Sequence, residues 1–141
     1  MKVSTTFLAA IVALSGCAAT PSPLPKAVEG VALVPISSAS VTVREPALQM
    51  NAGRLQLAGF VVKVYEAKTT ENTHLDVAFL DEAGRPLFER STTFTPQRLI
   101  TGRRAPNRQG HYSLPVDDLP QGTRRIEVRA HDGAHSPPSA E

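Results

Sequence analysis

Four histidines, two adjacent carboxylate pairs, one cysteine and a run of arginines are the side chains that could do chemistry in this 141-residue chain. Asp81-Glu82 and Asp117-Asp118 stand in stretches that read as turns. Adjacent carboxylates in turns cap backbone N–H groups and face water, so they are not expected to act as an acid–base pair. His131 and His135 have the i, i+4 spacing that puts two ligands on one face of a helix, but Asp132-Gly133 between them reads as a turn. His74 and His131 are expected to point outward from strands, and His111 stands alone. Cys17 is the only cysteine, which leaves the body of the chain without a disulfide, a thiolate zinc site or a thiol nucleophile. The sequence has no G-x-S-x-G, S-x-x-K, H-E-x-x-H, Walker A or G-x-G-x-x-G motif. No enzyme, no cofactor and no dedicated metal site are expected.

The basic stretch 96–111, PQRLITGRRAPNRQGH, is more suggestive. It holds Arg98, Arg103, Arg104 and Arg108 and no acid. A guanidinium presents a rigid fork that matches carboxylate or phosphate. These four arginines are the candidate partner contact. The competing reading is a solvated loop that keeps sheet edges from pairing. Eleven Arg against four Lys in the whole chain also show a general preference for Arg. Without residues 1–16 the chain carries 14 Lys+Arg and 13 Asp+Glu, so the balance is nearly neutral. A strong positive field of the kind nucleic-acid binding needs is missing.

The elements that must position these side chains are strands. In His74–Leu80, Leu75, Val77 and Phe79 alternate with His74, Asp76 and Ala78. In Arg125–His131, Ile126, Val128 and Ala130 alternate with Glu127, Arg129 and His131. Tyr112, Leu114 and Val116 repeat the pattern, and period two marks a half-buried antiparallel strand. Arg54–Tyr65 is longer: Leu55 and Leu57 share one parity while Phe60, Val62 and Val64 share the other. That switch predicts a bulge or bend at Ala58-Gly59. Phe88 to Phe94 is a further predicted strand with both Phe in phase, and Val41 and Val43 form a short one. No segment has helical periodicity, and twelve prolines and nine glycines break up any long helix. Aromatic residues are 5% and Trp is absent, so the core must be aliphatic.

The N-terminus reads MKVSTTFLAAIVALSGCAAT. Lys2 precedes an apolar run from Phe7 to Leu14, which as a helix is about 12 Å long and far short of a bilayer core. This is the pattern of a signal segment. Leu14-Ser15-Gly16-Cys17 resembles the lipobox of bacterial lipoproteins. The resemblance implies cleavage before Cys17 and acylation of Cys17 as the lipid attachment site. Ala18, where Asp would retain a Gram-negative lipoprotein in the inner membrane, implies the periplasmic face of the outer membrane.

A second resemblance lies at Leu119-Pro120-Gln121-Gly122-Thr123, leading into Ile126, Val128 and Ala130. It is similar to the corner that enters the penultimate strand of immunoglobulin-like and fibronectin type III-like sandwiches. A transthyretin-like or other small sandwich is the alternative.

The expected organisation is a signal peptide over 1–16, a lipidated Cys and Pro-rich tether over 17–38, one domain over 39–133 and a tail over 134–141. Val31–Val34 is an alternative first edge strand within the tether. The domain is expected to be a single small antiparallel all-β sandwich, Ig-like, of six to seven strands. The expected function is a non-enzymatic binding or envelope-assembly module. It would contact a periplasmic or envelope protein, or an anionic envelope polymer, through the 96–111 loop or an exposed strand edge. The alternative is a periplasmic metal or small-ligand binder that uses exposed histidines.

Overall fold

The computed structural model describes residues 23–116 and 119–133. The signal segment, Cys17, Asp117-Asp118, His135 and the 134–141 tail lie outside the described residues. Among the described residues there is no α-helix, only one turn of 3-10 helix at Lys26–Val28. No helix among them is long and apolar enough to cross a membrane.

Seven strands follow in chain order: β1 (Ala32–Ile36), β2 (Val41–Asn51), β3 (Arg54–Lys63), β4 (Thr73–Leu80), β5 (Pro86–Thr92), β6 (Gln109–Pro115) and β7 (Arg125–Asp132). They form a four-stranded sheet, β1-β7-β4-β5, and a three-stranded sheet, β2-β3-β6. Every pairing is antiparallel except β1 with β7. The fold is a small β-sandwich with the four-plus-three split of a seven-stranded immunoglobulin-like domain and a strand order of its own. The Leu119–Thr123 corner does enter a strand, with Thr123 Oγ1 and N–H both bonded to the Pro120 carbonyl. That strand is β7, the last of the described strands rather than the penultimate one.

The inward rows of the two sheets meet in one core, mostly aliphatic as expected but also holding Phe79, Phe94 and Tyr112. Val41, Leu57, Val61, Leu75, Val77, Ile126 and Val128 are fully buried in it. Each such side chain contributes roughly 1.5–3 kcal/mol relative to exposure. β4 and β7 show the period-two alternation expected of them, because each faces the core on one side only.

Three local expectations need correction. The tether is shorter than 17–38, because Val28 is already in the core and β1 pairs in parallel with β7 from Ala32 to Ile36. The Val31–Val34 alternative therefore holds, and Pro35 is tolerated because β1 is an edge strand. The bulge lies in β2, not β3: the register shifts between Arg44 and Ala47, where Glu45 has φ 45° and Pro46 follows. β3 itself runs straight through Gly59, with Leu55, Leu57 and Val61 inward and Phe60 and Val62 outward. Finally, β5 ends at Thr92, so Phe88 is half-exposed on an edge strand while Phe94 turns into the core beyond it.

Candidate functional site

The outward apolar residues of β3 explain where the basic loop goes. Phe60 and Val62 are apolar on a face that looks away from the core, and both are only half-exposed. Val62 lies beneath the chain between Ile100 and Arg108, which folds back over the β3–β6 end of the sheet. The segment that leads into this excursion is firmly held. Phe94 and Leu99 are buried in the core. Thr95 exchanges both backbone hydrogen bonds with His111, at 2.8 and 2.9 Å. Thr70, fully buried, donates through Oγ1 to the Gln97 carbonyl at 2.6 Å and accepts from the Leu99 N–H at 2.9 Å. The Ile100 N–H donates to the Asn107 carbonyl at 2.9 Å and closes the neck of the excursion.

One glycine makes this close approach possible. A Cβ on Gly110 would stand 2.5 Å from Phe94 Cδ2 and 3.1 Å from the Pro96 carbonyl oxygen. The Phe94 ring therefore occupies the space that any other residue at 110 would need. Gly59 makes the same kind of room on the neighbouring strand, where the Tyr112 ring lies across it. The Tyr112 hydroxyl is buried without a hydrogen-bond partner, and that burial pushes its proton affinity well above the ordinary tyrosine value.

Between the excursion and the sheet lies a cavity of about 680 Å³. Its polar lining includes Lys63, Arg108, Gln109, His111 and Thr101. Val62, Ile100, Ala105 and Pro106 supply the apolar wall, and no Asp or Glu lines it. Arg108 uses Nη1 on the Arg103 carbonyl at 3.5 Å. The His111 ring sits beside Phe60, with centroids 6.2 Å apart. Of the four candidate arginines, only Arg108 lines the cavity. Arg98, Arg103 and Arg104 are exposed on the loop around it. Among the described residues no carboxylate forms an ion pair with any of the four. Lys63 and Val62 were missed from sequence because they belong to β3; only their place at the end of an apolar strand hinted at them.

The outward face of the larger sheet is different. Glu127 pairs with Arg125 at 3.2 Å and with Arg129 at 3.3 Å. Ser91 donates to Asp76 at 2.7 Å, and His74 Nε2 lies 3.6 Å from Asp76. His74 and His131 are cross-strand neighbours with ring centroids 5.1 Å apart. The structure thus brings two of the four histidines together. Among the described residues, however, no group of three metal-capable side chains forms. Asp81 does cap its turn: its carboxylate accepts from the Arg85 N–H and guanidinium, and those bonds hold it below the ordinary carboxylate value.

The strand edges are blunted by several means. β1 carries Pro35, β2 carries its bulge, and β6 is bridged by Thr95. β5 keeps an open edge beside a groove whose lining includes Phe79, Phe88, Leu114 and Val116, but Arg90 stands on its inward row. An inward-facing charge on an edge strand opposes pairing with another strand. The loop is therefore the better contact candidate. No family model matches this chain, and no curated protein or solved structure matches it significantly.

Proposed function

We propose that this protein is a lipid-anchored binding or assembly module of the cell envelope, without catalytic activity. Acylated Cys17 holds it at the periplasmic face of the outer membrane, and the proline-rich segment after Cys17 spaces the sandwich from the lipid. The sandwich presents the 96–108 loop to an anionic partner. The observation that carries this reading is the pairing of a rigid base with exposed, uncompensated arginines. Phe94, Leu99 and Thr70 pin the base, while Arg98, Arg103 and Arg104 stand exposed with no ion-paired carboxylate among the described residues. A pre-ordered cationic loop loses less conformational entropy on binding than a floppy one.

The test is in-cell cross-linking of the tagged full chain, followed by purification from the membrane fraction. The wild-type protein should yield a discrete partner. The Arg98→Glu/Arg103→Glu/Arg104→Glu chain should lose it while melting at an unchanged temperature. A Cys17→Ser chain should leave the membrane fraction. Equal recovery of the partner by the charge-reversed chain at matched stability rejects the loop as the contact.

A further inference from the structure

We infer that the cavity under the loop is a binding site for a phosphate group carried on a larger molecule. The inference rests on the proposed anionic partner and names the chemistry of what that partner offers. Three observations carry it. The cavity brings Lys63 of β3, Arg108 of the loop and His111 of β6 to one lining with no carboxylate among its wall residues. Its volume of about 680 Å³ is far more than a bare inorganic ion fills, and it falls in the range of small-molecule sites. Its apolar wall of Val62, Ile100, Ala105 and Pro106 lies beside the cationic one.

The division of labour follows from these side chains. The Arg108 guanidinium offers its N–H donors to phosphate oxygens. Lys63 adds a point charge, and His111, Gln109 and Thr101 supply further donors. The non-ionic portion of the ligand covers Ile100 and Val62. Arg103 and Arg104 lie outside the cavity and act by attraction at longer range. Phosphate is favoured over a single carboxylate because three donor groups on separate elements suit an anion with three terminal oxygens.

The source of the phosphate is either a soluble ester or a lipid headgroup, and the experiment separates them. Isothermal titration calorimetry of the wild-type chain would use glucose 1-phosphate and inorganic pyrophosphate. Vesicle sedimentation would use phosphatidylcholine with and without phosphatidic acid. The same probes would be applied to Arg108→Gln, Lys63→Gln and Arg90→Gln. Binding of the ester, weakened at least about tenfold by Arg108→Gln and Lys63→Gln but not by Arg90→Gln, is expected. Sedimentation only with phosphatidic acid, with the same variant pattern, assigns the site to a lipid headgroup. Failure of every probe, or binding that ignores Arg108→Gln and Lys63→Gln, overturns the inference. Because the cross-linking test changes only Arg98, Arg103 and Arg104, a partner that depends on them can survive the loss of the phosphate site, and the two failures stay distinct.

Discussion

On the outward face of the β1-β7-β4-β5 sheet, carboxylates stand between or beside cations; in the loop that folds over the β2-β3-β6 sheet, the arginines have no ion-paired carboxylate among the described residues. Glu127 sits between Arg125 and Arg129, and Asp76 is engaged by Ser91 and His74. The other face carries Phe60 beside His111 and Val62 under a loop whose arginines meet no carboxylate among the described residues. Both faces belong to one sandwich and one core. On the proposed reading, the first arrangement needs no partner, and the second is the one that an anion from outside would complete.

The sharpest way to break the contrast is to dislodge the base of the loop. Gly110→Ala drives a methyl into the buried Phe94 ring and against the Pro96 carbonyl, and neither can move without opening the core. Overpacking of this kind costs about 3 kcal/mol. Urea unfolding should show that loss. Hydrogen exchange should show faster opening at the Leu99 amide, while amides of β4 and β7 lose only the global share. A loss below about 0.5 kcal/mol would mean that the loop base is soft and that the pre-ordering argument fails.

Next in size is a clasp near the loop base, since its Thr73 donates its N–H to the Thr70 carbonyl at 3.1 Å. The Asp132 carboxylate accepts from Ser38 Oγ at 3.0 Å, the Ser40 N–H at 3.1 Å and Thr73 Oγ1 at 2.8 Å. It ties the link between β1 and β2 to the ends of β4 and β7. Partial desolvation pushes this carboxyl upward, but the bonds from Thr73, Ser38 and Ser40 together outweigh it and hold it below 3.8. A depressed folded-state value adds stability that is full above the unfolded value and is lost as pH falls below about 3.8 through the folded value. Asp132→Asn should cost about 1–2 kcal/mol at neutral pH, discounted for its exposure. The deficit should shrink as acid removes the wild-type advantage. Urea melts at about pH 6 and about pH 3 check this, and a deficit that stays constant with pH rejects the charged clasp.

How much of this was legible in the sequence depended on whether a residue's neighbours were local. β4 and β7 announce themselves because each strand has one dry and one wet face. β3 misleads, because Phe60 and Val62 are outward yet apolar, and what covers some of that face comes from residues 100–108. The parity switch at Gly59 was real as a pattern and wrong as a bulge. Gly59 instead makes room for Tyr112, and the bulge sits opposite, at Glu45-Pro46. β1 was obscured by Pro35, since only its parallel pairing with β7 makes it a strand. The arginines could be read as a type in a run. Their division into Arg108 within the cavity and Arg98, Arg103 and Arg104 around it depends on how the loop folds back.

The smallest expected effect sharpens the comparison most, because it asks for a difference between like substitutions. Glu127→Gln removes the acid between two arginines on the compensated face, where Glu127 is only 16% exposed. It should cost up to about 1 kcal/mol, the range of a partly exposed ion-pair network. Salt should narrow that cost by screening the repulsion left between Arg125 and Arg129. Arg103→Gln and Arg104→Gln on the loop should stay within about 0.5 kcal/mol of wild type, since no ion pair among the described residues is lost. Their removal relieves crowding of like charge, so any shift should be a gain, largest at low salt. Stability that falls on losing Arg103 or Arg104 would show that the loop's charge is already compensated inside the molecule, and the surplus that invites a partner would be gone.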